Sequence, residues 1–165
     1  MTRDLPTWSN RSPVVASMSN PSVVAFTICA AASEYERAKG DPMPIELSFL
    51  VPALVFHRGT REALPNSTKS HLTKWVNDHP VLQAGFAERA HGLVIHTREG
   101  IRFGMRAGIL SVEADGLLKG AVPPNVKPPK VGDIGQIIRA SGFVGKWFTK
   151  SERPSTIFAL LGVKP

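Results

Sequence analysis

The sequence has little of what usually announces chemistry. Among 165 residues there is one cysteine, Cys29, which excludes a disulfide framework and any multi-cysteine metal cluster and fits a reducing compartment. The five histidines, His57, His71, His79, His91 and His96, form no H-E-x-x-H pattern, and His91 and His96 are five apart, off a shared helical face. No G-x-S-x-G occurs, and no carboxylates pair up in a local arrangement. Gly142-Phe143-Val144-Gly145-Lys146-Trp147 resembles a phosphate loop only superficially. Its first glycine is missing at the needed spacing, and Trp147 stands where Ser or Thr would hold magnesium. Long apolar runs are also lacking. The longest, residues 43–56, is interrupted by Glu46 and Pro52 and falls short of the ~20 residues a bilayer span needs. The first residues contain no apolar segment of a secretory signal. The expectation is a cytoplasmic protein that is not an enzyme, with no catalytic residue, no metal, no cofactor and no membrane contact.

What is present is a core and a positive charge. Apolar residues make up 42% of the chain and charged ones 20%, enough to bury a core and too apolar for wholesale disorder. The length suits one domain with an appended arm. The net charge is +7, and it is unevenly spread: residues 123–165 carry seven basic side chains against two acidic ones. That excess is either a solvated face or a contact with an acidic partner or nucleic-acid phosphates.

Residues 1–19, rich in Ser, Asn, Pro and Thr, read as a flexible leader. Asn20-Pro21 opens a helix, with Asn as cap and Pro at the first position. Val24, Ile28, Ala31 and Tyr35 share its inner face, and Lys39-Gly40 followed by Asp41-Pro42 ends it. Residues 45–57 are apolar nearly all round, which predicts a buried helix kinked at Pro52. Asn66 or Ser67 can cap a helix to Asp78, with Leu72, Trp75 and Val76 inward. Pro80 can open another over 80–92, with contacts from Leu82, Phe86 and Leu93. Thr97 can cap a third over 98–107, with Ile101, Gly104 and Met105 inward. Residues 109–113 and 117–119 then read as strands around an Ala114-Asp115-Gly116 turn.

Three short helices followed by a hairpin is the order of a winged helix. The expected fold is α+β and predominantly helical: a winged-helix-like domain with N-terminal helices over 20–122, and a Pro-rich linker over 123–131. A basic amphipathic C-terminal helical arm follows over 132–165. On the third helix Arg98, Arg102 and Arg106 recur at every fourth residue. This is either a solvated face or a stripe that meets double-stranded DNA at its phosphates or base edges. In the arm, Lys146, Trp147, Phe148, Ile157, Phe158, Leu160 and Leu161 either dock onto their own domain or seat in a partner's groove.

Several motifs in order resemble a known family. They are Asn20-Pro21 before an apolar helix, Leu54-Val55-Phe56-His57, Thr60-Arg61-Glu62-Ala63-Leu64-Pro65, and Trp75 on the next helix. Gly85-Phe86-Ala87-Glu88-Arg89-Ala90, Thr97-Arg98-Glu99, Lys146-Trp147-Phe148 and the closing segment 156–165 complete the set. From residue 20 to the C-terminus the chain resembles the middle component of bacterial three-component ABC systems. The resemblance implies a small non-enzymatic subunit that acts beside an SMC-like ABC ATPase, which supplies the nucleotide chemistry, and a variable effector in defence against phage or other invading DNA. It carries over no catalytic residue. With the basic arm, the apolar tail and the absence of catalytic patterns, the expectation is a non-catalytic subunit bridging the ATPase and the effector. The alternative is a free-standing winged-helix transcription regulator; a small hydrolase with a scattered site ranks below both.

Overall fold

A computed structural model describes residues 7, 10, 20–127, 129–151 and 153–164; the expected leader, residues 1–19, lies outside these apart from positions 7 and 10. Helix α1, Pro21–Lys39, has the boundaries its sequence dictates. The Asn20 side chain accepts from the Ser22 backbone N–H at 3.0 Å, and Gly40 takes the left-handed turn at φ 89° that stops it. Val24, Ile28, Ala31 and Tyr35 are all buried, and so are Ala25, Thr27, Cys29 and Ala32. A helix buried on so many sides is a central one.

Strand β1, Met43–Pro44, and a 3-10 helix, Ile45–Phe49, follow, then helices α2, Val51–Val55, and α3, Arg58–Glu62. The expected single kinked helix over 45–57 is therefore two short ones. Pro52 has no N–H to continue the 3-10 turn and instead lies in the first turn of α2, where none is needed. Helix α4, Leu72–Asp78, starts later than expected, after His71 and not after Asn66 or Ser67. Helix α5, Pro80–Ala84, is short, and Gly85 separates it from α6, Phe86–Arg106.

Helix α6 corrects the expected boundary at Thr97. Thr97 ahead of Arg98 and Glu99 reads as a cap, but tertiary packing overrides that local signal. Thr97 is buried in the middle of one continuous helix, so no separate third helix exists. Strands β2, Leu110–Val112, and β3, Leu117–Gly120, form the expected hairpin, with Gly116 at φ 78° closing its turn. β1 pairs antiparallel with the free edge of β3, giving the sheet order β1-β3-β2. Two residues, one of them proline, give no strand signal of their own, so β1 is not expected from its sequence.

Helices α7, Asp133–Phe148, and α8, Pro154–Leu160, complete the chain. α7 lies along α1 so closely that a Cβ on Gly145 would overlap the Ala31 carbonyl. The architecture is predominantly helical α+β, with α1 at the centre between α6, α7 and the small sheet. Cys29 is fully buried there. Its thiol donates to the Ile109 carbonyl at 3.3 Å, and burial pushes its pKa up to about 11. A thiol so placed is a small core hydrophobe and no nucleophile.

Candidate interaction site

Helix α6 presents two faces. Inward lie Phe86, Ala90, Thr97, Gly100, Ile101 and Gly104, all buried. The two glycines are needed for close approach: a Cβ at Gly100 would overlap the Val24 side chain, and one at Gly104 would meet Leu110 Cδ1 at 2.5 Å. Outward lie Arg98, Arg102 and Arg106, all exposed. None of the three enters an ion pair among the described residues. Met105, expected on the inner side with Ile101, is 48% exposed. Gly104 fills the inner position against Leu110, and its neighbour is turned out beside the arginines.

Toward the start of α6 the same outward face becomes one wall of a groove of about 610 Å³. Ala87, His91, Val94 and Arg98 succeed one another three or four residues apart, so they line up along the helix. The opposite walls come from Ile45 and Phe49 of the 3-10 helix and from Phe158 and Val163 near the chain's end. Arg98 and Lys164 bring positive charge to this apolar groove, against the single carboxylate of Glu46.

A second apolar groove, about 590 Å³, runs between α1 and α7. Val23, Phe26, Ile138 and Phe143 line it, and Val122 and Val126 of the proline-rich segment flank it. Val122, Val126 and Ile134 remain 38%, 38% and 48% exposed around its mouth. Glu34, Lys127 and Arg139 give it mixed charge. The two grooves share no lining residue.

The apolar C-terminal residues, expected either to dock onto their own domain or to seat in a partner's groove, lie against their own domain. Trp147, Phe148, Ile157, Phe158 and Leu161 are buried in the chain's own core, and Leu160 packs against it; Lys146 alone is exposed. The reason is a set of satisfied interactions at home. The Trp147 indole N–H donates to the Ser70 carbonyl at 2.6 Å, and its ring meets Trp75 edge-on at 5.9 Å between centroids. Of the group, Phe158 is the one that also reaches the first groove, forming part of its wall.

Other motif residues also do structural work. His57 Nδ1 accepts from the Thr60 N–H at 3.1 Å, and Arg89 donates to the Leu82 carbonyl at 2.9 Å and to Thr60 Oγ1 at 3.3 Å. Burial holds the Arg89 pKa below its ordinary value. The Arg61 side chain is only 7% exposed; it donates to the Val55 carbonyl at 2.7 Å and faces Asp133 across 3.6 Å, tying α3 to the start of α7. The residues that sequence reasoning missed are the groove walls Ile45, Phe49, Ala87, Val94 and Val163. Only the small, apolar three-and-four spacing of Ala87, Ala90 and Val94 ahead of Arg98 could have signalled them.

Among the described residues no group of His, Cys, Asp or Glu is placed to hold a metal ion, and no helix is long and apolar enough to cross a membrane. No curated protein and no solved structure matches the chain. A family model does, over residues 8–165 and hence over the grooves, the arginine face and the buried C-terminal helices alike: the chain belongs to the family described as ABC-three component (ABC-3C) system Middle Component 3.

Proposed function

We propose that the protein is a non-catalytic bridging subunit that links the SMC-like ABC ATPase of its system to the effector, within a cytoplasmic defence complex. Membership of a three-component system implies partner components. The observation that carries the bridging reading is the pair of apolar grooves with no lining residue in common. A bridge needs two independent docking surfaces, and exposed apolar clefts are where partners bury anchor side chains. The test is co-expression of the full chain with the ATPase and effector subunits of its own system. The expected result is one complex holding all three, and a binary complex with each partner alone. A chain that binds neither, with or without ATP, overturns the proposal.

A second reading is duplex DNA contact through Arg98, Arg102 and Arg106. It is supported by their exposure just ahead of the hairpin and by the sheet order, which a winged helix shares. Against it stands the hairpin tip, the position of the wing, where Glu113 and Asp115 would face phosphate; Glu113 is paired there with Lys119. If the stripe meets DNA, replacing the three arginines by Ala lowers the slope of log K against log salt by about 0.9 for each phosphate no longer neutralised. An unchanged slope in a duplex titration removes α6 from any DNA interface. The free-standing regulator has less support, since the family is one of multi-subunit systems.

A further inference from the structure

We infer that the groove beside α6 is the seat of an acidic amphipathic helix from a partner subunit, with Arg98 and Arg102 reading its carboxylates. The inference rests on the bridging reading and assigns the chemistry of one of its two partners. Three features of the face lead to it. The groove itself is mostly apolar, formed by Ile45, Phe49, Val94 and Phe158 among others, which suits hydrophobic side chains better than a phosphate backbone. Its charge is positive at Arg98 and Lys164, with only Glu46 opposing. The face also continues beyond the groove in the same three-and-four register, through Arg102 to Met105, which is 48% exposed.

A helix laid in such a groove presents apolar anchors at i, i+3, i+4 and i+7 on the side that is buried. Flanking carboxylates four residues apart then fall at the pitch of Arg98, Arg102 and Arg106, which together span about 12 Å of α6. Arginine forks bind carboxylates in two-point contacts, so the stripe can set register as well as attract. A second copy of this chain is a poor occupant, because two bodies of charge +7 repel each other. The other groove carries the same balance, Glu34 against Lys127 and Arg139, so what singles out the groove beside α6 is the register of exposed arginines, Arg98, Arg102 and Arg106, that continues its wall.

The test uses the full chain with the ATPase and effector subunits of its own system, each assayed separately by titration. The double variant Arg98→Glu with Arg102→Glu lies on an exposed face and keeps the wild-type circular dichroism. It is expected to weaken binding to one of the two partners by about tenfold or more and to leave the other unchanged. Raising the salt concentration should weaken the same partner. A photocrosslinking phenylalanine analogue at position 91, where His91 is exposed, is expected to capture a segment of that partner with apolar residues three and four apart between Asp or Glu residues. Capture of a basic segment or of a second copy of this chain overturns the inference while the bridging complex stands. So does a double variant that binds both partners normally, or one that loses only duplex DNA. Failure of the wild-type chain to bind either subunit overturns both proposals.

Discussion

Replacing Trp147 by Ala is expected to cost about 3–5 kcal/mol of folding stability, the range for deleting a large aromatic side chain from a packed core. Domains of this kind have roughly 5–15 kcal/mol in total, so the variant sits near the edge of folding. Its Tm should fall on the order of 10 °C, measured by circular dichroism at fixed protein concentration. The substitution removes three things at once. The indole is 2% exposed, its N–H holds the Ser70 carbonyl at 2.6 Å, and its ring packs edge-on against Trp75. The Trp75 N–H in turn holds the Ala63 carbonyl at 2.7 Å, so the pair fixes the irregular stretch 63–71 that joins α3 to α4. Trp147→Phe separates the contributions. It keeps an aromatic ring and removes the donor, and should cost about 1 kcal/mol for the hydrogen bond, plus what the smaller ring fails to fill. A Trp147→Ala protein with unchanged Tm would show that α7 does not hold this wall of the core.

The features legible in the sequence are the ones fixed by neighbours along the chain. Asn20-Pro21 and Gly40 bound α1 because a cap, a fixed φ and a left-handed turn are local demands. The hairpin is legible for the same reason, through Gly116 at its turn. The misplacements are tertiary. The stretch around Thr97 reads as a break only if α6 stands alone. With Gly100 and Gly104 pressed against Val24 and Leu110, the helix gains more from staying continuous than it loses in propensity. For the apolar residues of 147–161 the sequence leaves docking at home and docking on a partner both open, because nothing in their own segment reveals that Ser70, Trp75 and helix α4 lie against them. The grooves are invisible in the sequence because each is assembled from distant elements: residues 45–49, 87–98 and 158–164 for the first. The arginine stripe is legible as a periodicity, and its meaning changes with the apolar groove on the same face. A basic stripe alone suggests phosphates; a basic stripe that continues an apolar cleft suggests an amphipathic acidic helix.

The same substitution, Gly to Ala in mid-helix, should have opposite signs at two positions, and the contrast tests how α7 meets α1. Helix propensity alone favours Ala over Gly by about 1 kcal/mol. At Gly92 of α6 nothing lies within 4 Å of an added Cβ and the residue is exposed, so Gly92→Ala should stabilise by about that amount. At Gly145 of α7 the added Cβ would overlap the Ala31 carbonyl and come within 2.8 Å of its Cα. These are backbone atoms of a buried helix, which cannot swing aside as a side-chain tip would. Relief requires the two helices to separate, opening gaps around Val144 and Phe148, both almost completely buried. Overpacking of this kind costs about 1–3 kcal/mol, and the two further methyls of Gly145→Val should carry the loss beyond that range. Denaturant unfolding of the three variants, with m-values compared, reads the signs directly. The close approach also bears on function, because it decides which surfaces are free. With α7 locked against α1 at Gly145, Trp147 and Phe148 are walls of the core, and the proposed bridging role falls to the grooves. A stabilised Gly145→Ala protein would mean that the two helices stand further apart at this crossing.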